Sequence, residues 1–138
     1  MAFTDDQDLI ALIDSSVLDQ KKADELLQRS PDLLKRRNRL QETALHFLAI
    51  EDYPVGIENL CGKGAEVDPR DFTGGTPLLH AATLGNETVV EVLLAHGADA
   101  SAMDDAGDSV LECAERSGNS RVIELVTEAL RRPRTRPG

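Results

Sequence analysis

The chain has 138 residues, 41% hydrophobic and only 3% aromatic with no Trp, and it carries a formal charge of −10. A chain of this size suits one domain with a core of Leu, Val, Ile and Ala, a filling that favours packed helices over a sandwich or barrel. Its acidity repels phosphate backbones and anionic lipid, which argues against nucleic acid and membrane surfaces as partners and suits either a basic protein partner or simply solubility.

In chain order, Asp5, Asp6 and Asp8 stand where a secretory leader would be basic and then apolar. No stretch approaches the roughly 18 to 20 apolar residues of a membrane span, so a cytoplasmic protein is expected. Thr4-Asp-Asp-Gln7 reads as a capping box that opens a first helix. Thr43, Thr76 and Ser109 read as later N-caps, because a side-chain oxygen there accepts an orphan helix N–H. Pro54 and Pro77 take first helical positions, where a missing N–H costs nothing. Gly85 and Gly118 supply left-handed turns between paired helices. Asp52 falls where these later units have Gly, which predicts a less regular turn there. Dense apolar faces follow at Val89, Val90, Val92, Leu93 and Leu94, and again at Val122, Ile123, Leu125 and Val126. Ser109-Val-Leu-Glu112 is a second capping box. Pro133 and Pro137 break residues 131–138 into a basic, structureless tail, and setting aside its four arginines takes the remaining charge from −10 to −14.

One period organises these elements. Thr43, Thr76 and Ser109 are 33 residues apart, and Gly64-Ala65 with Gly97-Ala98, Gly85-Asn86 with Gly118-Asn119, and Asp71 with Asp104 keep the same step. One step further back, Leu12 joins Leu45, Leu78 and Leu111, while Leu27 joins Leu60, Leu93 and Val126. The units run over about 5–37, 38–70, 71–103 and 104–130 within a single domain of residues 1–130. The first is degenerate, as expected of an end unit with one face in solvent.

Residues 71–103 contain Asp-x-x-Gly-x-Thr-Pro-Leu, then Ala-Ala-x-x-Gly, then Val-x-x-Leu-Leu-x-x-Gly-Ala-Asp. This closely resembles the ankyrin repeat consensus, and the likeness covers nearly the whole chain. The resemblance implies an all-α solenoid of helix–turn–helix units with short β-hairpin-like loops, acting as a non-catalytic protein-binding module. It also implies that loop tips and inner helices line a concave face. Those positions here are Arg39, Leu40, Glu42, Ile50 and Glu51, then Phe72, Thr73, Gly75, Thr83 and Leu84, then Asp105, Ala106, Asp108, Arg116 and Ser117. Phe72, Leu40 and Leu84 are the candidate anchors, since exposed aromatics beside Leu and charge are typical of binding hot spots. Either Phe72 buries itself against its own hairpin or it serves the partner. The family's signature histidine is His46, with Leu79 and Glu112 in its column. A histidine network along the whole stack is therefore not expected, and His46 is assigned a structural role.

Catalytic and metal chemistry finds little support. His46, His80 and His96 occupy different columns and are not expected to converge as ligands. Cys61 and Cys113 form neither a metal spacing nor a disulfide framework and read as core residues of a reducing compartment. Asp104, Asp105 and Asp108 lack the alternation of a calcium loop, and Asp104 reads as a loop residue satisfying backbone donors. No cofactor is expected. Three functions remain: an adaptor for a protein partner, an inhibitor or immunity protein blocking a basic enzyme such as a toxin nuclease, and a hydrolase using Asp105 and Asp108. The first is preferred, for a monomer meeting its partner with a rigid surface.

Overall fold

A computed structural model describes residues 3–132; the basic-tail positions from 133 onward lie outside the described residues. Among the described residues, eight α-helices form four antiparallel pairs: α1 (Gln7–Leu18) with α2 (Gln20–Arg29), α3 (Ala44–Ile50) with α4 (Pro54–Gly62), α5 (Pro77–Leu84) with α6 (Glu87–Ala95), and α7 (Val110–Ser117) with α8 (Ser120–Arg131). A 3-10 turn, Pro31–Lys35, follows α2. Helices α3, α5 and α7 stack side by side on one layer, and α4, α6 and α8 on the other. Among the described residues no helix is long and apolar enough to cross a membrane.

The interior is the aliphatic column expected from the period. Leu12, Leu48, Leu60, Leu78, Val90, Leu93 and Val126 are completely buried, and Leu45 nearly so. Leu111 is only half-buried against this core, because among the described residues no further unit covers α7. In the first unit the burial register slips by one residue: Leu26 is buried where Leu27 was expected, and Leu27 is half-buried. The cause lies in the preceding turn. Asp19 ends α1 in extended backbone (φ −156°) and also caps α2 by accepting from Lys22 N–H, so one residue does the work of two. Its column-mates Asp52, Gly85 and Gly118 are left-handed, at φ 65°, 72° and 70°. Asp52 thus makes the same turn as the glycines, and the irregular member is Asp19.

The first helix also opens differently from the capping-box reading. Asp6 is the N-cap, accepting from the N–H groups of Asp8 and Leu9, while Thr4 Oγ1 accepts from Asp6 N–H one step upstream. Asp6 is the better cap because Arg36 holds it there, Nη1 lying 3.0 Å from Oδ2. Burial works to raise the Asp6 pKa, but the Leu9 N–H and Arg36 outweigh it and keep the carboxyl below its usual range.

Three short loops project between the pairs, each built the same way. The backbone N–H of Asn38, Asp71 and Asp104 donates to the carbonyl four residues on, at 2.9 to 3.0 Å. Each of these side chains then accepts two N–H groups inside its own loop: Leu40 and Glu42, Thr73 and Gly75, Ala106 and Asp108. Every loop needs one left-handed residue, supplied by Gln41 (φ 62°), Gly74 (76°) and Gly107 (86°). For Gln the left-handed region costs roughly 1 kcal/mol that Gly avoids. Gln41→Gly is therefore expected to raise stability by about 0.5–1 kcal/mol in urea unfolding, and a loss of stability would contradict this account of the loop.

Candidate functional site

The loops are joined into one frame. Phe72 N–H donates to Leu40 C=O (3.0 Å) and Asp105 N–H to Thr73 C=O (2.9 Å), so each tip is pinned to the one before it. Arg37 Nη1 bonds both Gln41 C=O (2.6 Å) and Arg70 C=O (2.7 Å), and Arg70 Nη1 repeats this with Gly74 C=O (2.9 Å) and Met103 C=O (2.6 Å). Reading the sequence missed these clamps, although the 33-residue step between Arg37 and Arg70 was available as a signal. At the far end of the inner helices Asn86 Nδ2 donates to Ala49 C=O (2.8 Å) and Asn119 Nδ2 to Gly85 C=O (3.3 Å). The surface is therefore held at both margins before any partner arrives.

On this frame Phe72 is 61% exposed, Leu84 53% and Leu40 47%, so Phe72 does not bury itself against its hairpin. Arg39, Glu51, Thr73, Thr83, Asp105 and Arg116 are exposed, whereas Glu42, Ile50 and Asp108 are half-buried. Several of these groups are committed to the fold. Glu42 Oε1 accepts from Asn38 Nδ2, Thr73 Oγ1 donates to Asp71, and Thr83 Oγ1 donates to Leu79 C=O. Asp108 Oδ1 accepts from Arg116 Nη2 at 2.7 Å. Beside the first loop tip lies an open groove of ≈ 820 Å³ whose lining includes Phe3, Asp5, Arg39 and Leu40.

Two histidines do converge, contrary to the column argument. His46 and His80 rings lie 5.9 Å apart, and their ligand-type atoms, together with an Asp71 oxygen, all fall within 4.8 Å of one another. Different columns meet because α3 and α5 stack directly and the Asp71 loop folds across their starts. His46 Nδ1 accepts from Thr43 N–H (3.1 Å), which places the ring proton on Nε2, and this donates to Gly75 C=O (2.9 Å). Asp71 Oδ1 accepts from Thr73 N–H, Thr73 Oγ1 and Gly75 N–H, and its Oδ2 accepts from His80 Nε2 at 2.7 Å. A metal would have to break bonds already made by both His46 nitrogens and both carboxylate oxygens. The group works as a hydrogen-bonded strut linking the second and third units. Burial, the largest influence, lowers the His46 pKa, and only partly do the Gly75 bond and the Asp71 charge offset it. At Asp71 burial pushes upward, but the bonds from Thr73, His80 and Gly75 prevail and hold its pKa low. His96 stands apart, with Nε2 3.1 Å from Glu58 Oε2.

Arg116 holds the Asp108 pKa below the usual carboxylate range, which unsuits it as a proton donor near neutrality. Cys61 is an inert thiol, its pKa pushed up to about 11 by burial and then by Glu58.

The family model for ankyrin repeats (3 copies) matches residues 16–104 and, in a second overlapping match, 45–132. The chain belongs to the ankyrin repeat family. An ankyrin repeat protein of this kind is a protein–protein interaction module. Among its relatives, NF-kappa-B inhibitor alpha of Gallus gallus is 40% identical over 63 residues, 46% of this chain and 20% of the relative. The Homo sapiens protein of the same name is 42% identical over 60 residues, 44% of this chain and 19% of the relative. The ADP-ribosylation factor GTPase-activating protein AGD2 of Arabidopsis thaliana is 39% identical over 71 residues, covering 51% of this chain and 9% of the relative. This ankyrin stack thus matches about a fifth, or less, of the length of these relatives.

Proposed function

We propose that the stack captures a partner protein, one with a basic surface, on its loop tips and inner helices. The contact surface comprises Arg39, Leu40, Glu42, Ile50, Glu51, Phe72, Thr73, Thr83, Leu84, Asp105, Asp108 and Arg116. The observation that carries this reading is the exposure of Leu40, Phe72 and Leu84 on a frame that hydrogen bonds already hold rigid. A frame ordered in advance spends little entropy on binding, so exposed apolar anchors convert to affinity. Acidic residues speed encounter with a basic partner, while Phe72 and its neighbours slow its release.

The acidity also favours a narrower reading, an inhibitor that covers the basic site of one enzyme; two of the relatives are inhibitors by name. Catalysis has no part in either reading. A monomer is proposed, because copies of a −10 chain repel one another. Two free cysteines, one of them buried, suit a reducing cytoplasmic setting.

Capture from a lysate of the source cell on immobilised chain, at low and then raised salt, tests the proposal. Salt is expected to weaken capture, and Phe72→Ala to reduce it by about tenfold or more. Capture that Phe72→Ala leaves unchanged removes the anchor. Salt-insensitive capture removes the basic partner. A single bound protein at one-to-one stoichiometry, silenced by the chain, selects the inhibitor over the adaptor.

A further inference from the structure

The loop tips present an ordered row of chemistry. Arg39, Phe72 and Asp105 occupy one column of successive units, so stacking sets them on the order of 8–10 Å apart. Phe72 has Leu40 beside it, joined through the Phe72 N–H to Leu40 C=O bond, and both side chains are about half exposed or more. Next along the row Asp105 is exposed, its N–H tied to Thr73 C=O and its carboxylate lying over the Cα of Gly74, where a Cβ would stand 2.4 Å from Oδ1. Among the described residues neither Asp105 nor Arg39 takes part in an ion pair. Opposite Asp105, at the other end, Arg36 pairs with Asp6 and Arg37 is turned onto carbonyls; Asp5, Arg39 and Glu42 also line the groove, Glu42 accepting from Asn38 Nδ2, and of these Arg39 holds the column of Phe72 and Asp105.

We propose that this row reads a short extended segment of the partner in which one apolar side chain lies three residues from a basic one on one side only. The inference rests on the protein-binding reading above and adds what the partner presents. The apolar side chain packs on Leu40 and Phe72, and the basic one reaches Asp105. Three residues of extended chain span roughly 10 Å, the spacing of the units. Arg39 supplies the discrimination: a second base on the opposite side meets its guanidinium, while an acid or neutral residue is accepted there.

Selection of a displayed random 12-residue peptide library on the full chain tests this. Enriched peptides are expected to share an apolar residue with Lys or Arg three positions away on one side and no base three positions away on the other. A synthetic peptide of the enriched sequence is expected to bind about tenfold more weakly to Phe72→Ala. Asp105→Lys is expected to weaken the same peptide about 2- to 5-fold, and reselection on this variant to replace the base with Asp or Glu. Phe72-dependent peptides without the spaced base, or a base that survives reselection on Asp105→Lys, overturn the inference while leaving the protein-binding reading in place. If no peptide enriches, or the enriched ones ignore Phe72→Ala, the inference falls, and capture of a folded partner from the lysate decides the protein-binding reading separately.

Discussion

Leu78→Ala is expected to lower the free energy of unfolding by about 2–5 kcal/mol, whereas Leu111→Ala, one unit along the same column, costs distinctly less. Leu78 is fully buried between α3 and α7 on the central α5, so truncation leaves a void that neighbours on both sides would have to collapse to fill. Leu111 is half-buried on the terminal inner helix, so water already reaches part of the space its side chain fills. Hydrophobic burial scales with area removed from water, and the cavity term adds only where the surroundings cannot relax. Urea unfolding of the two variants at one temperature checks this. Equal losses at both positions would mean that α7 is buried as deeply as α5, and the stacking order described above would be wrong.

The contrast shows where the sequence was informative. A constant step of 33 residues puts Leu12, Leu45, Leu78 and Leu111 in one column and calls the loops, helices and N-caps with it, because a stack buries each unit only against copies of itself. Local exceptions were less visible. Asp19 and Asp52 share a column and a residue type, yet one is extended and the other left-handed. The choice depends on Asp19 capping α2 directly, a decision made by the turn's geometry and not by its residue. The Leu26 register shift is a consequence of that turn. For the same reason the exposure of Phe72 was an open question, since a loop-tip aromatic packs or projects according to rungs such as Phe72 to Leu40 that join separate units. His46 and His80 were separated by column logic that holds within a unit, but they meet across two units where the Asp71 loop closes over them.

That meeting point makes stability depend on pH. His46 is fully buried and neutral, with burial holding its pKa below the 6.5 of an unfolded chain. Below pH 6.5 the unfolded chain takes up a proton that the folded chain refuses, so the unfolded state binds more protons and stability falls. The His46 contribution is thus complete above pH 6.5 and is lost as pH drops toward the lowered folded value. Carboxyls held low, those of Asp6, Asp71 and Asp108, add a further loss only below their ordinary 3.8. Urea unfolding between about pH 8 and about pH 5 is expected to show this decline in the wild type. His46→Ala strands Thr43 N–H, in a buried residue, at about 1–3 kcal/mol, and takes from Gly75 C=O one of its two donors, leaving it Asp71 N–H. His46→Gln removes the titrating ring and keeps polar atoms near both partners, so its unfolding free energy is expected to vary less over the same interval. An unchanged slope in His46→Gln would show that the ring is not held neutral between its two backbone partners, and the strut between the second and third units would then need another origin.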